Sequence, residues 1–117
     1  RHALKGEKIP VYGEGKNKRD WLYVTDHTDA IELVLAKGKD GHVYLISADD
    51  ERENIATART VLDLLKKPHA LMEFVKDRPG HDWRYALDSS NTRALGWKPR
   101  VSFEEGLKKT VEWYRKK

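Results

Sequence analysis

Residues 77–88, DRPGHDWRYALD, hold a cluster of side chains that can bind a ligand. Pro79 restricts φ and Gly80 accepts φ values closed to other residues, so the pattern predicts a tight, shaped loop. The polar side chains around that pair are Asp77, Arg78, His81, Asp82 and Arg84. Such a loop, placed between ordered elements, can hold an anionic ligand. A solvated turn with local ion pairs is the alternative that these residues leave open.

Tyr12 and Lys16 have the spacing of the proton-transfer pair of short-chain dehydrogenases, whose members lie one helical turn apart. Gly13 and Gly15 lie between them and disfavour a helix, so we assign no catalytic residue. The segment also lacks the Gly-x-x-x-x-Gly-Lys-Ser/Thr phosphate loop, and no Gly-x-Gly-x-x-Gly fingerprint occurs in the sequence. These 117 residues therefore show no dinucleotide site of their own.

Arg19 follows a basic turn and precedes a predicted strand, a position from which a guanidinium can hold phosphate oxygens bidentately. A salt bridge to Asp20 or Glu14 is equally open on local grounds. Asn54 and Arg52 have the same ambiguity. No histidine has a convincing metal-ligand spacing to another histidine or a carboxylate, so we predict no metal site.

The composition indicates one polar, folded domain over residues 1–117. Hydrophobic residues make up 38% and charged residues 36%, and periodic apolar segments argue against disorder. The net charge of +4 suits an anionic small ligand as well as it suits nucleic acid. There is no cysteine, which is compatible with a reducing compartment, and we expect a cytoplasmic protein without a membrane span. Because the sequence opens on Arg1 inside a predicted helix, we expect a piece of something longer.

Hydrophobic periodicity and turn residues predict alternating strands and helices. The expected helices cover residues 1–5, 26–37, 57–67, 88–95 and 103–114. The expected strands cover residues 8–12, 20–24, 42–47 and 71–76. Asp26 and Asp88 are the expected N-caps, and Ser102 with Glu105 has the capping-box pattern for the last helix. The fold class is α/β, as a small mixed α/β domain.

Several segments together carry a family resemblance: IPVYG at 9–13, RDWLYVTDH at 19–27 and DRPGHD at 77–82, then LGWKP at 95–99 and TVEWY at 110–114. In this order they resemble the C-terminal part of the dTDP-glucose 4,6-dehydratase family. Its members are extended short-chain dehydrogenase/reductases. The resemblance covers nearly the whole sequence and implies the nucleotide-sugar-binding part of such a lyase, without the Rossmann NAD domain.

The resemblance implies three groups of substrate-binding residues. The segment that would line a thymine pocket consists of Pro10, Val11 and Tyr12. Diphosphate and nucleotide contacts would come from Arg19 and Asn54. The loop that would close over the thymidine sugar and phosphate consists of Asp77, Arg78, Pro79, Gly80 and His81.

In the family, NAD and the catalytic residues belong to the N-terminal part, so the resemblance implies NAD in the intact enzyme and no cofactor in these residues. The expected partners are a dTDP-sugar, the missing NAD-binding domain and further copies of the chain, with neither a membrane nor nucleic acid favoured. The intact enzyme would form dTDP-4-keto-6-deoxyglucose for deoxysugar biosynthesis. These residues alone would be inactive. Two alternatives stay open: part of another nucleotide-sugar epimerase or decarboxylase, and a small basic module that binds nucleic acid or protein.

Overall fold

The computed structural model describes all of residues 1–117 and contains five helices and four strands. The helices are α1 (His2–Lys5), α2 (Val24–Lys37), α3 (Asn54–Leu64), α4 (Ser90–Ala94) and α5 (Phe103–Arg115). The strands are β1 (Ile9–Tyr12), β2 (Lys18–Asp20), β3 (Glu51–Glu53) and β4 (Met72–Val75), and a 3-10 turn covers His69–Leu71. No helix has the length and apolarity that crossing a bilayer requires.

The chain forms two compact units. Unit 1 consists of residues 1–19, 52–85 and 107–117, and unit 2 consists of residues 20–51 and 86–106. Strands β2 and β3 pair with each other in a sheet of their own. The expectation of a single domain over residues 1–117 stays a prediction.

Unit 1 is built on the parallel pair β1 and β4, which aligns Ile9 with Met72 and Tyr12 with Val75. One apolar cluster stabilises this unit through the burial of apolar surface. Its buried members are Ala3, Leu62, Leu65 and Val111, and the partly buried side chains packed on it include Leu4, Ile9, Val61, Leu71 and Met72. Val11 is also buried, on the strand that leads into the candidate site.

Unit 2 contains α2 and α4 and depends on buried polar side chains. Asp26 is 2% exposed, and its Oδ2 accepts the backbone N–H groups of Arg100 and Val101 at 3.0 and 2.9 Å. The Asp26 carbonyl accepts the indole N–H of Trp97 at 3.0 Å. The Asp26 carboxylate therefore joins α2 to the turn that precedes α5.

Several expectations from the sequence are confirmed. The first helix ends at Gly6, which has a left-handed conformation, and β1 covers the predicted extended segment. Helix α5 begins at Phe103, where Ser102 Oγ accepts the backbone N–H of Glu105 at 3.2 Å. The mixed α/β fold class is also confirmed.

Two predicted strands were wrong. Residues 21–23 have no regular structure, and the strand in that region is β2, at Lys18–Asp20. Residues 42–47 form no strand, because side chains of α4 take the place of a neighbouring strand. Thr92 Oγ1 donates to the Leu45 carbonyl at 2.5 Å, and Asn91 Nδ2 donates to the Val43 carbonyl at 3.4 Å.

Three predicted helix starts were also displaced. Helix α2 begins at Val24 with Tyr23 at its N-cap, since the Asp26 carboxylate is used by the turn before α5. Helix α3 begins at Asn54, directly after β3, rather than at residue 57. Asp88 does hold the start of α4, where its Oδ1 accepts the Ser90 N–H at 2.9 Å, but the N-cap position belongs to Ser89.

Candidate functional site

The parallel pairing of β1 and β4 places two chemically rich loops at one edge of unit 1. Carboxyl ends of parallel strands share an edge, and this edge is where ligands commonly bind in α/β proteins. Tyr12 ends β1 and Val75 ends β4 in the same register. The Val75 carbonyl accepts the N–H of Gly13 at 2.9 Å, so the two loops leave the sheet side by side.

The loop after β1 is held closely against the start of α3. Gly15 has a φ of +71°, and its carbonyl accepts the Ile55 N–H at 2.9 Å. The Asn17 carbonyl accepts the Asn54 N–H at 3.0 Å, and Asn17 Nδ2 donates to the Asp82 carbonyl at 3.1 Å. Asn17 is 3% exposed, so this side chain ties the loop after β1 to the loop after β4.

These loops enclose a polar cleft of about 430 Å³. Its lining residues are Tyr12, Arg19, Asn54, Arg78, Pro79, Gly80, His81, Asp82 and Tyr85. Two guanidinium groups face one carboxylate there, so the lining has a net positive charge. A cleft of this size with forked cationic donors suits a small ligand that carries phosphate groups.

Arg19 is held from several directions. Its Nη2 donates to the Asp82 carbonyl at 2.9 Å and contacts His81 Nε2 at 3.1 Å. Its Nη1 donates to the Lys18 carbonyl at 2.6 Å, and its Cζ lies 4.3 Å from the centroid of the Tyr85 ring. A guanidinium stacked on an aromatic ring and fixed by carbonyls is pre-organised for an anion.

His81 is the buried centre of the loop after β4, with a side chain that is 7% exposed. Its Nδ1 lies 2.6 Å from Asp77 Oδ1, which also accepts the backbone N–H of Arg78 at 2.8 Å. The hydrogen bond with His81, together with the Arg78 N–H, outweighs the opposing effect of burial and lowers the pKa of the Asp77 carboxyl below its ordinary value. Asp77 is therefore held as a carboxylate that fixes the loop.

Aromatic rings complete the cleft on both sides. The Arg78 guanidinium carbon lies 4.9 Å from the centroid of the Tyr12 ring, and the His81 ring meets Tyr12 edge-on at 6.0 Å. The Tyr85 hydroxyl donates to Asp82 Oδ2 at 2.5 Å. That hydrogen bond and the negative charge of Asp82 raise the pKa of the Tyr85 phenol.

The structure brings most of the expected site residues together. Those that line the cleft are Tyr12, Arg19, Asn54, Arg78, Pro79, Gly80 and His81. Asp77 lies behind the lining and contacts His81. Pro10 is exposed on β1, whereas Val11 is 5% exposed and packs inward.

The substrate-binding residues implied by the resemblance did not include Asn17, Asp82 or Tyr85, although Asp82 belonged to the polar loop singled out from the sequence. Asp82 ends the DRPGHD motif and Tyr85 follows it three residues later, but no local pattern indicated that Arg19 would lie over the Tyr85 ring. Asn17 lies in a polar turn and gave no signal. The Tyr12–Lys16 spacing has no helical basis, since Tyr12 ends β1 and Lys16 forms an ion pair with Glu14 at 2.7 Å.

Comparison with known proteins places this arrangement in a family. The family model for GDP-mannose 4,6 dehydratase matches residues 1–110. The chain belongs to the GDP-mannose 4,6 dehydratase family. A similar curated protein, dTDP-glucose 4,6-dehydratase 1 of Escherichia coli K12, is 47% identical to this chain over 97% of its length. The chain spans 34% of that relative's length, in its C-terminal part.

Solved structures of similar proteins agree with this membership in the GDP-mannose 4,6 dehydratase family. DesIV, a dTDP-glucose 4,6-dehydratase from Streptomyces venezuelae with NAD bound, is 42% identical with a TM-score of 0.94. The match covers 98% of this chain and 36% of DesIV. UDP-glucose 4-epimerase of Thermotoga maritima, with UDP-glucose, is 31% identical with a TM-score of 0.89. The match covers 98% of this chain and 37% of the epimerase chain. The resemblance carried by the motifs is confirmed.

NAD occurs in the related dehydratase structures. The residues of this chain do not fit a dinucleotide, because they contain no Gly-rich fingerprint at the start of a helix. We therefore assign none of them to NAD.

Proposed function

We propose that this chain is the nucleotide-sugar-binding part of a dTDP-glucose 4,6-dehydratase and that its cleft holds the diphosphate of a dTDP-sugar. The observation that carries the proposal is the presence of Arg19 and Arg78 in one cleft at the carboxyl ends of β1 and β4. Each guanidinium stacks on a tyrosine ring. Forked donors held in this way match phosphate oxygens better than a flexible lysine would.

The surrounding residues take distinct roles in this proposal. Arg19 meets the diphosphate, and Arg78 with Gly80 closes the loop over the sugar-phosphate side. Asn54 supplies amide hydrogen bonds to the nucleotide. Tyr12, with Pro10 and Val11 on the same strand, marks the side of the thymine base.

The whole protein's activity is part of the proposal. The intact enzyme would convert dTDP-glucose to dTDP-4-keto-6-deoxyglucose in deoxysugar biosynthesis. NAD, bound by the N-terminal part of that enzyme, would be the hydride acceptor. The residues described here would grip the substrate and orient its sugar, which accelerates a reaction by positioning. A cytoplasmic location belongs to the same proposal.

A related nucleotide-sugar epimerase is the second candidate. The likeness to the Thermotoga maritima UDP-glucose 4-epimerase, at a TM-score of 0.89, favours it. The nucleotide preference separates the two candidates, because a dehydratase of this class would prefer dTDP and that epimerase would prefer UDP.

We also propose that the chain self-associates when it is alone. Several large apolar side chains are more than half exposed. They include Val24, Leu35 and Val43 in unit 2 and Phe74 in unit 1. Exposed apolar surface of this kind tends to be covered by a partner. Analytical ultracentrifugation tests this, and a clean monomer at high concentration would contradict it.

The diphosphate role is tested by calorimetric titration of dTDP into the chain and its variants. Arg19→Ala or Arg78→Ala should weaken binding by about 1–3 kcal/mol, the scale of a lost charged hydrogen bond. Arg59→Ala, which removes an exposed arginine of α3 outside the cleft, serves as the matched control and should bind like wild type. Unchanged affinity in both cleft variants would refute the phosphate roles.

A further inference from the structure

Asp77, His81 and Arg19 form a continuous chain of hydrogen-bonding groups along the cleft. Asp77 Oδ1 lies 2.6 Å from His81 Nδ1, and His81 Nε2 lies 3.1 Å from Arg19 Nη2. Asp77 itself does not line the cleft. We propose that Asp77 and His81 are positioning residues that aim the Arg19 guanidinium by fixing the tautomer of His81. This proposal rests on the proposed function in one respect, which is that Arg19 binds an anionic ligand.

The tautomer follows from the partners of the two ring nitrogens. A guanidinium has donors and no acceptor, so Nε2 must accept from Arg19 and carry no hydrogen. A carboxylate only accepts, so Nδ1 must carry the hydrogen that it donates to Asp77. Only the neutral ring with its hydrogen on Nδ1 satisfies both contacts. The partner of one ring nitrogen thus sets the role of the other.

Because His81 is buried, its contacts can fix the orientation of the Arg19 guanidinium. The His81 side chain is 7% exposed, so the imidazole is largely shielded from water, although the Asp77 side chain is 42% exposed. Arg19 also donates to the carbonyls of Lys18 and Asp82. His81 Nε2 therefore accepts one hydrogen of Arg19 Nη2. This contact fixes the orientation of the guanidinium and so the direction of its remaining donors.

A second histidine–carboxylate pair in the same unit lacks an arginine and provides a control. His69 Nε2 lies 2.6 Å from Asp63 Oδ1, the same separation as in the Asp77–His81 pair. The His69 side chain is 46% exposed and lies outside the cleft. His69→Asn removes a comparable ring without touching Arg19.

The first test is the tautomer in the unliganded 117-residue chain, read by ¹⁵N nuclear magnetic resonance. The His81 signals are assigned as those that disappear in His81→Gln. We expect hydrogen on Nδ1 in wild type and a mixture of tautomers in Asp77→Asn, because an amide can donate to Nδ1 as well as accept from it. Hydrogen on Nε2 in wild type would overturn the proposal, whatever the ligand proves to be.

The second test is a double-mutant cycle with dTDP as the probe. His81→Asn should weaken binding roughly three- to tenfold, within the usual range of couplings between contacting residues. Combined with Arg19→Ala, it should cause no further loss, because His81 acts through Arg19. Losses that multiply would show that His81 acts on the ligand directly and would overturn the proposal.

Conservative variants separate positioning from folding. Glutamine carries an amide oxygen near the depth of Nε2, so His81→Gln should retain more affinity than His81→Asn. His69→Asn should bind dTDP like wild type. Equal losses in the Gln and Asn variants would contradict the acceptor role of Nε2. If wild type bound no nucleotide, the proposed function would fail, while the tautomer measurement would still decide the positioning.

Discussion

Gly15→Ala is expected to destabilise the fold well beyond the ordinary effect of an alanine in a turn. Gly15 has a φ of +71°, and an added Cβ would lie 2.7 Å from Val11 Cγ1 and 2.8 Å from Ile55 Cβ. Val11 is 5% exposed, so it has little room to move away. Gly80→Ala is the matched control, since Gly80 has a φ of +68° with nothing within 4 Å of an added Cβ.

The expected difference can be worked from these two positions. A left-handed conformation costs an L-residue about 1–2 kcal/mol in both variants, offset by about 0.4–1 kcal/mol from the less flexible unfolded chain. Crowding adds about 1–3 kcal/mol at Gly15 alone. We therefore expect Gly80→Ala to lose at most about 1.6 kcal/mol and Gly15→Ala to lose about 1–4.6 kcal/mol, with a difference of about 1–3 kcal/mol between them.

Urea unfolding followed by circular dichroism measures both losses, with the slope m compared among the three proteins. Equal losses of unfolding free energy in the two variants would refute the close approach of the β1 loop to the start of α3. The same crowding bears on the cleft, because the Gly15 carbonyl accepts the N–H of Ile55, the neighbour of Asn54.

Two further predictions concern a buried hydroxyl and a carboxylate. Thr92→Val leaves the Leu45 carbonyl without its donor and should lower the free energy of unfolding by about 1–3 kcal/mol, whereas Thr92→Ser should lose less; equal losses in urea unfolding would contradict this. The pKa of Asp77 is lowered by its hydrogen bond with His81, so its contribution to stability is present above the ordinary carboxyl value of 3.8 and is lost as pH falls through the lowered value. The stability difference between wild type and Asp77→Asn should therefore shrink on acidification, and a pH-independent difference would contradict the assignment.

Local signals in the sequence were sufficient where an element depends on its own residues. Ser102 lies three residues before Glu105, and that spacing predicted the start of α5 because the cap is a contact within one turn. Gly6 ended α1 for a similar local reason. The paired motifs also predicted that Arg19 and the loop after β4 would act together, which no local pattern could show.

Local signals failed where a side chain serves a distant segment. Asp26 has the sequence of an N-cap, yet its carboxylate accepts N–H groups 74 and 75 residues further along the chain. The continuous apolar run at residues 43–46 is typical of a strand, but Thr92 and Asn91 donate to its carbonyls in place of a neighbouring strand. Asn17 joins the cleft only through the fold, since its partner carbonyl belongs to Asp82.

Titration of the wild-type chain with dTDP, thymidine and a short DNA duplex tests the central claim most directly. A cleft built for a diphosphate should bind dTDP, should bind thymidine at least about tenfold more weakly, and should show little affinity for DNA at physiological salt. Equal affinity for dTDP and thymidine would remove the diphosphate role of Arg19 and Arg78. Binding to DNA that matches or exceeds that of dTDP and falls steeply with salt would contradict the account.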